Sequence, residues 1–159
     1  MKRQLFLAAS LALAATTLNA DIVAPNDVDM NEYGGIAQSL TGVPGDAVRG
    51  REVMTTRGLG NCIACHQVSE LDEFQFHGEV GPSLDGVGAR WEEADLRGII
   101  VNAKNAFPGT IMPAFYRTSG FVRPGNGFTG RAAEGELDPL LQAQDIEDVV
   151  AYLLTLTEY

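Results

Sequence analysis

Two cysteines and a histidine stand together in Cys62-Ile63-Ala64-Cys65-His66. The C-x-x-C-H spacing is that of a covalent haem attachment site. In such a site the two thiols add to the vinyl groups of haem c, and the adjacent imidazole takes one axial position on the iron. Residues three and four apart share one face of a helical turn, so Cys62, Cys65 and His66 can address a single flat macrocycle. The chain has 2 cysteines, both in this motif, so no disulfide competes for them. Two other uses of these residues are weaker. A thiol–disulfide oxidoreductase places its C-x-x-C after a strand in a βαβ unit, and the sequence shows no such pattern. A zinc centre needs a fourth ligand, which one tight turn does not supply.

His66 leaves the sixth iron position to be filled. Beyond the first twenty residues the methionines are Met30, Met54 and Met112. Met30 lies in a polar N-terminal stretch, and Met54 falls on the apolar side of a helix, where it reads as core. Met112 lies in Thr110-Ile111-Met112-Pro113-Ala114-Phe115-Tyr116, which has no helical period and follows His66 by 46 residues. That is enough chain to travel round a haem, and Pro113 stiffens the loop by removing a backbone donor. Met112 is therefore the expected second ligand. His77 is expected to be a partly exposed loop histidine. A neutral thioether favours reduced iron and raises the potential, and six filled positions leave a haem that carries electrons without binding substrate. Pro82, in Gly81-Pro82, can offer its carbonyl to His66 Nδ1–H, or the pair can serve as an ordinary turn. Arg90 and Trp91 suit either a haem propionate or the solvent surface.

The elements that must position these residues are helical. Asp46 is an N-cap for a first helix carrying Val53 and Met54, with Gly58 as its stop. Gly50 sits inside that helix, where it costs about 1 kcal/mol relative to Ala. Close approach of the last helix, with Tyr152 as the contact, would account for it. In that last helix Ile146, Val149, Val150, Leu153 and Leu154 keep the amphipathic spacing. Asp138-Pro139 resembles its entry, and Asp145, Glu147 and Asp148 suit a positive helix N-terminus. Another helix runs from about Glu92 to Lys104 and puts Leu96, Ile99, Ile100 and Ala103 on one face. A short helix should carry Cys65 and His66. No strand alternation is evident. The expected class is all-α, with three main helices and long loops around one covalent haem.

Residues 1–20 read as a signal peptide. Lys2 and Arg3 precede an apolar run from Leu5 to Ala15, and Leu18-Asn19-Ala20 ends on a small residue. The run is short of the ~20 residues needed to span a bilayer, which favours a cleaved signal over the alternative of an uncleaved membrane anchor. Residues 21–44 are turn-rich and form an N-terminal extension, either wrapped on the domain or loosely held. Residues 45–159 form the domain proper. The full chain carries a formal charge of −10, which becomes −12 once Lys2 and Arg3 are removed. So acidic a chain has no basic patch for nucleic acid. It can steer toward a basic partner face, or the charge can serve solubility alone. With the signal cleaved, no membrane span is expected, and export places the protein in the periplasm, where haem is attached and thiols oxidise.

Taken together, the first helix, C-x-x-C-H, Gly81-Pro82, Met112-Pro113 and the closing Asp148-Val149-Val150-Ala151-Tyr152-Leu153 resemble class I cytochromes c. Finer detail resembles the SoxX family, the monohaem subunits of bacterial SoxAX sulfur-oxidation complexes. It rests on Gly60 to His66, on Gly78-Glu79-Val80-Gly81-Pro82-Ser83-Leu84, on Leu96-Arg97 leading to the Met112 segment, and on Gln144 to Leu153. The resemblance covers roughly Gly45 to the C-terminus. It implies His66 and Met112 as iron ligands and Cys62 and Cys65 as thioether positions. It also implies a heterodimer with a SoxA-like cytochrome subunit that holds the catalytic haem of an L-cysteine S-thiosulfotransferase. There thiosulfate is joined oxidatively to a cysteine of a SoxYZ carrier protein, and electrons leave through a soluble cytochrome c acceptor. This chain would be the non-catalytic subunit, with no catalytic residue of its own. A free-standing monohaem carrier of a respiratory chain fits the same chemistry. The glycine-rich segment 118–137 maps onto no motif and reads either as part of a partner face or as a solvated insertion.

Overall fold

The computed structural model describes residues 21–158, so the expected signal peptide lies outside the described residues. Among the described residues four α-helices occur: α1 (Ala47–Thr55), α2 (Val87–Arg90), α3 (Glu93–Ala106) and α4 (Ala143–Leu153). Short 3-10 turns lie at Cys62–Ala64 and Ser69–Leu71. Among the described residues the β-structure is one isolated bridge, Gly125 to Ala132. The all-α expectation therefore holds, with α1, α3 and α4 as the main helices.

Asp46 caps α1 as expected: its carboxylate accepts from Val48 N–H at 2.8 Å and Arg49 N–H at 3.4 Å. The helix ends at Thr55, earlier than Gly58, because Thr56 turns extended (φ −90°, ψ 122°). Helix α4 begins at Ala143, some residues past Asp138-Pro139, with Asp145 reaching back to accept from Gln142 N–H at 3.2 Å. Its apolar stripe of Ile146, Val149, Val150 and Leu153 is buried. Glu147 and Asp148 do not serve the helix dipole as expected. Both are buried and act as tertiary acceptors. Asp148 takes Asp46 N–H at 2.9 Å, at the start of α1.

Helices α1 and α4 cross at Gly50. A Cβ there would lie 1.9 Å from the carbonyl oxygen of Asp148 and 2.9 Å from Tyr152 Cβ. The backbones are in contact, so only glycine fits, which explains a residue that helix propensity disfavours. Tyr152 is the expected neighbour, but the nearer one is the α4 backbone itself.

Helix α3 packs on α4 through a buried ion pair. Arg97 is 2% exposed and Glu147 4%, with Arg97 Nε 2.9 Å from Glu147 Oε1. Arg97 also donates to Ile36 O at 2.8 Å, and Glu147 Oε1 accepts from Leu40 N–H at 2.7 Å. Residues 36–40 are thus bound to both helices, and Ile36 and Leu40 are buried beside them. Burying two such side chains stabilises the docked segment by about 1.5–3 kcal/mol each. The N-terminal stretch wraps the domain.

Candidate functional site

The end of α1 launches the C-x-x-C-H motif. Val53 O accepts from both Gly60 N–H (3.1 Å) and Asn61 N–H (3.3 Å). Asn61 then adopts a left-handed conformation (φ 47°, ψ 40°), which asparagine tolerates better than most residues, and reverses the chain into the 3-10 turn. Cys62 O accepts from Cys65 N–H at 3.1 Å and His66 N–H at 3.0 Å, so the three reactive side chains stand on one turn. The turn follows a helix rather than a strand, unlike the C-x-x-C of a thiol–disulfide oxidoreductase. The expected short helix stops just before its two key residues: Cys65 caps the 3-10 turn and His66 follows it.

Both cysteines are free; Cys65 is exposed and Cys62 packs against the apolar core. Burial pushes the Cys62 thiol up to about 12, with its own backbone opposing the rise and Cys65 adding to it. His66 is held by the segment after it. Its Nδ1 lies 2.7 Å from Pro82 O. A carbonyl only accepts, so Nδ1 carries the proton and Nε2 keeps its lone pair for a metal. Gly81 permits this arrangement: its N–H donates to Cys65 O at 2.8 Å, and a Cβ would lie 2.3 Å from His66 Cε1. Two free thiols, one of them sheltered, and an imidazole presenting Nε2 from the same turn fit a covalent haem.

Arg90 lies on the far side of the same loop. It donates to Asp85 O at 2.6 Å and Ser83 O at 3.2 Å, bracing the chain just beyond Pro82. Asp85 fastens that loop to the residues after His66, accepting from Ser69 N–H and Ser69 Oγ, both at 2.7 Å. Burial alone would raise its carboxyl, but these bonds, the Ser83 hydroxyl and Arg90 outweigh it and hold the carboxyl below its ordinary range. Trp91 packs edge-on against Phe107 with ring centroids 6.0 Å apart. His77 is half-buried. Its Nδ1 accepts from Val68 N–H at 3.2 Å, and its enclosed Nε2 has no hydrogen-bond partner among the described residues.

Met112 sits on a strap pinned along α3. The backbone of α3 leaves helical geometry at Asn102 (φ −158°, ψ 88°). Carbonyls that an unbroken helix would use internally turn outward: Ile100 O takes Phe115 N–H at 3.3 Å and Val101 O takes Tyr116 N–H at 3.2 Å. Lys104 Nζ adds a bond to Met112 O at 2.5 Å. Ala114, Phe115 and Tyr116 are buried, which anchors the strap. Met112 is half-buried and, like Cys62 and Leu84, packs against the same apolar core. Met54 is wholly buried, as expected of a core residue, and Met30 packs at the core's margin.

Sequence reading missed the Arg97–Glu147 pair and the break at Asn102. An arginine directly after Leu96 on the apolar side of α3 was the available signal for the first. Nothing in the local sequence announced the second.

A helical scaffold with a C-x-x-C-H turn and a proline-held histidine defines a c-type cytochrome. The family model for cytochrome c matches residues 47–157, and the chain belongs to the cytochrome c family. It is similar to a chain in the crystal structure of SoxXA from P. pantotrophus, at 54% identity and a TM-score of 0.82. The match covers 87% of this chain and 100% of that chain. A search of the curated proteins finds no match. The fold is that of class I cytochromes c, the cofactor is one covalently bound haem c, and the protein is a SoxX-like electron-transfer cytochrome.

Proposed function

We propose that this protein is the electron-accepting subunit of a SoxAX-type complex in the periplasm, with Cys62 and Cys65 as the haem anchors and His66 and Met112 as the axial ligands. The observation that carries the reading is the 54% identity across the whole of a SoxXA chain. Haem c, when bound, supplies a one-electron couple. The rest of the work belongs to the chain. Pro82 fixes the His66 tautomer, Gly81 lets the loop close on the ring, and the α3-bound strap presents Met112. Joining thiosulfate to a carrier cysteine releases two electrons and one proton. Both cysteines here are committed to haem, so the sulfur chemistry falls to the SoxA-like partner and its SoxYZ-like carrier. This chain relays the electrons one at a time toward a soluble cytochrome c acceptor. No described helix is long and apolar enough to cross a membrane.

The test has two arms. Met112→Ala should lower the midpoint potential and let added imidazole bind the iron, because the thioether that favours reduced iron is gone. An unchanged potential removes Met112 from the ligand set. Haem-loaded protein mixed with the SoxA-type cytochrome of its own organism should elute as a stable heterodimer. Separate elution would make the protein a free-standing carrier.

A further inference from the structure

We propose that residues 117–133 form a docking finger that seats Phe128 and Val122 in an apolar socket on an acidic face of the SoxA-like subunit, with Arg123 and Arg131 meeting its carboxylates. The inference rests on the heterodimer reading above and adds the surface that makes the contact.

The finger is a built structure. Its neck closes where Leu141 N–H donates to Phe115 O at 3.0 Å, and Tyr116 OH fastens the root to Val23 O at 2.8 Å. Farther out, Asn126 N–H donates to Arg131 O at 2.9 Å and Ala133 N–H to Pro124 O at 3.2 Å. The tip turns around Asn126, whose Oδ1 accepts from Phe128 N–H at 3.0 Å and Thr129 N–H at 2.7 Å. Arg117 is used internally: its guanidinium lies 4.9 Å from the Phe121 ring and donates to Ser119 O. A loop already held in shape loses less freedom on binding than a disordered one.

What the finger presents has no use within the chain. Val122 is 102% exposed and Phe128 99%. They are the two most exposed large apolar side chains among the described residues. Arg123 and Arg131 are exposed, and their side chains make no hydrogen bond or ion pair among the described residues. Residues 117–133 hold three arginines and no carboxylate in a chain of charge −10, so the remainder carries −13. Aromatic and arginine side chains on an internally hydrogen-bonded loop have the composition of a binding hot spot. The charge selects the occupant. A second copy of this chain would bring another −10 and repel at long range, and the likeness to a chain of a SoxXA complex points instead to a SoxA-type subunit as the occupant. The finger also follows the Met112 strap directly in the chain.

The experiment measures affinity between the haem-loaded protein and the haem-loaded SoxA-type cytochrome of its own organism. The chains compared are the wild type, Phe128→Ser, and Arg123→Glu/Arg131→Glu. Each variant should keep the wild-type haem spectrum and melting temperature, because the altered side chains pack on nothing. Phe128→Ser should weaken binding about 30-fold, as loss of a hot-spot residue does. The charge-reversed variant should weaken it at least as much and should reverse its salt dependence, so that added salt no longer weakens binding. Wild-type binding with both variants unchanged overturns the finger and leaves the heterodimer standing. Absence of wild-type binding overturns the heterodimer and the finger with it. Concentration-dependent self-association, lost in the variants, overturns the choice of partner in favour of a second copy.

Discussion

Replacing Gly50 by alanine sets two physical effects against each other. Helix propensity alone favours the change by about 1 kcal/mol, because alanine restricts the unfolded chain. Tertiary packing opposes it. The added methyl would stand 1.9 Å from Asp148 O and 2.5 Å from the carbonyl carbon of Asp148. A relaxed C···O contact is about 3.3 Å, so α1 and α4 must separate by roughly 1.4 Å. The obstacle is backbone, which has no rotamer to yield. Overpacking of this kind costs about 1–3 kcal/mol and sometimes more, and a displaced backbone belongs at the upper end. A net loss of about 2 kcal/mol should remain after the propensity gain, which is a melting temperature lower by roughly 8 °C for a domain of this size. The assay is thermal unfolding of the haem-loaded protein followed by circular dichroism. Gly58→Ala is the control, since a Cβ at Gly58 meets nothing within 4 Å. If Gly50→Ala melts at or above the wild type while Gly58→Ala is neutral, the close helix crossing is wrong.

Other substitutions probe the remaining joints. Arg97→Met strands the buried Glu147 carboxylate and should cost about 3–5 kcal/mol in denaturant unfolding. Adding Glu147→Leu should recover part of that loss, but Ile36 O and Leu40 N–H then lack their partners at about 1–3 kcal/mol each. Asp85 supplies a pH test. Its folded carboxyl is held low, so its contribution is present above the unfolded value near 3.9 and is lost as pH falls through the lower folded value. Asp85→Asn should therefore lower the melting temperature at pH 7 and lose less than the wild type on going to pH 3. Gly81→Ala drives a methyl to 2.3 Å from the His66 ring. It should destabilise the protein by about 1–3 kcal/mol and shift the haem absorption spectrum, both read in one thermal melt.

The site was more legible than the frame around it. Cys62, Cys65 and His66 are neighbours in sequence, so local geometry alone put them on one turn. Pro82 was also readable, because a carbonyl a short loop away is a natural partner for Nδ1. Arg90 was harder: its side chain reaches two loop carbonyls, and side-chain reach is not written in spacing. The acids of α4 show the limit clearly. Asp145, Glu147 and Asp148 look alike near a helix start, yet Asp145 bonds the backbone at the helix entry, while Glu147 meets Arg97 and Asp148 meets the start of α1.

Cofactor, class and main helices were determined by the sequence itself, because each depends on contacts between residues a few positions apart. Attachment of haem needs only the spacing of three side chains, and an amphipathic helix needs only its own period. The tertiary structure decided how those parts are held. It placed the N-terminal stretch on an ion pair between α3 and α4, turned two α3 carbonyls outward to carry the Met112 strap, and raised 117–133 into a braced projection. These outcomes depend on groups far apart in the chain, such as Leu40 with Glu147 and Val101 with Tyr116. Their energies exist only once the chain has closed around its core.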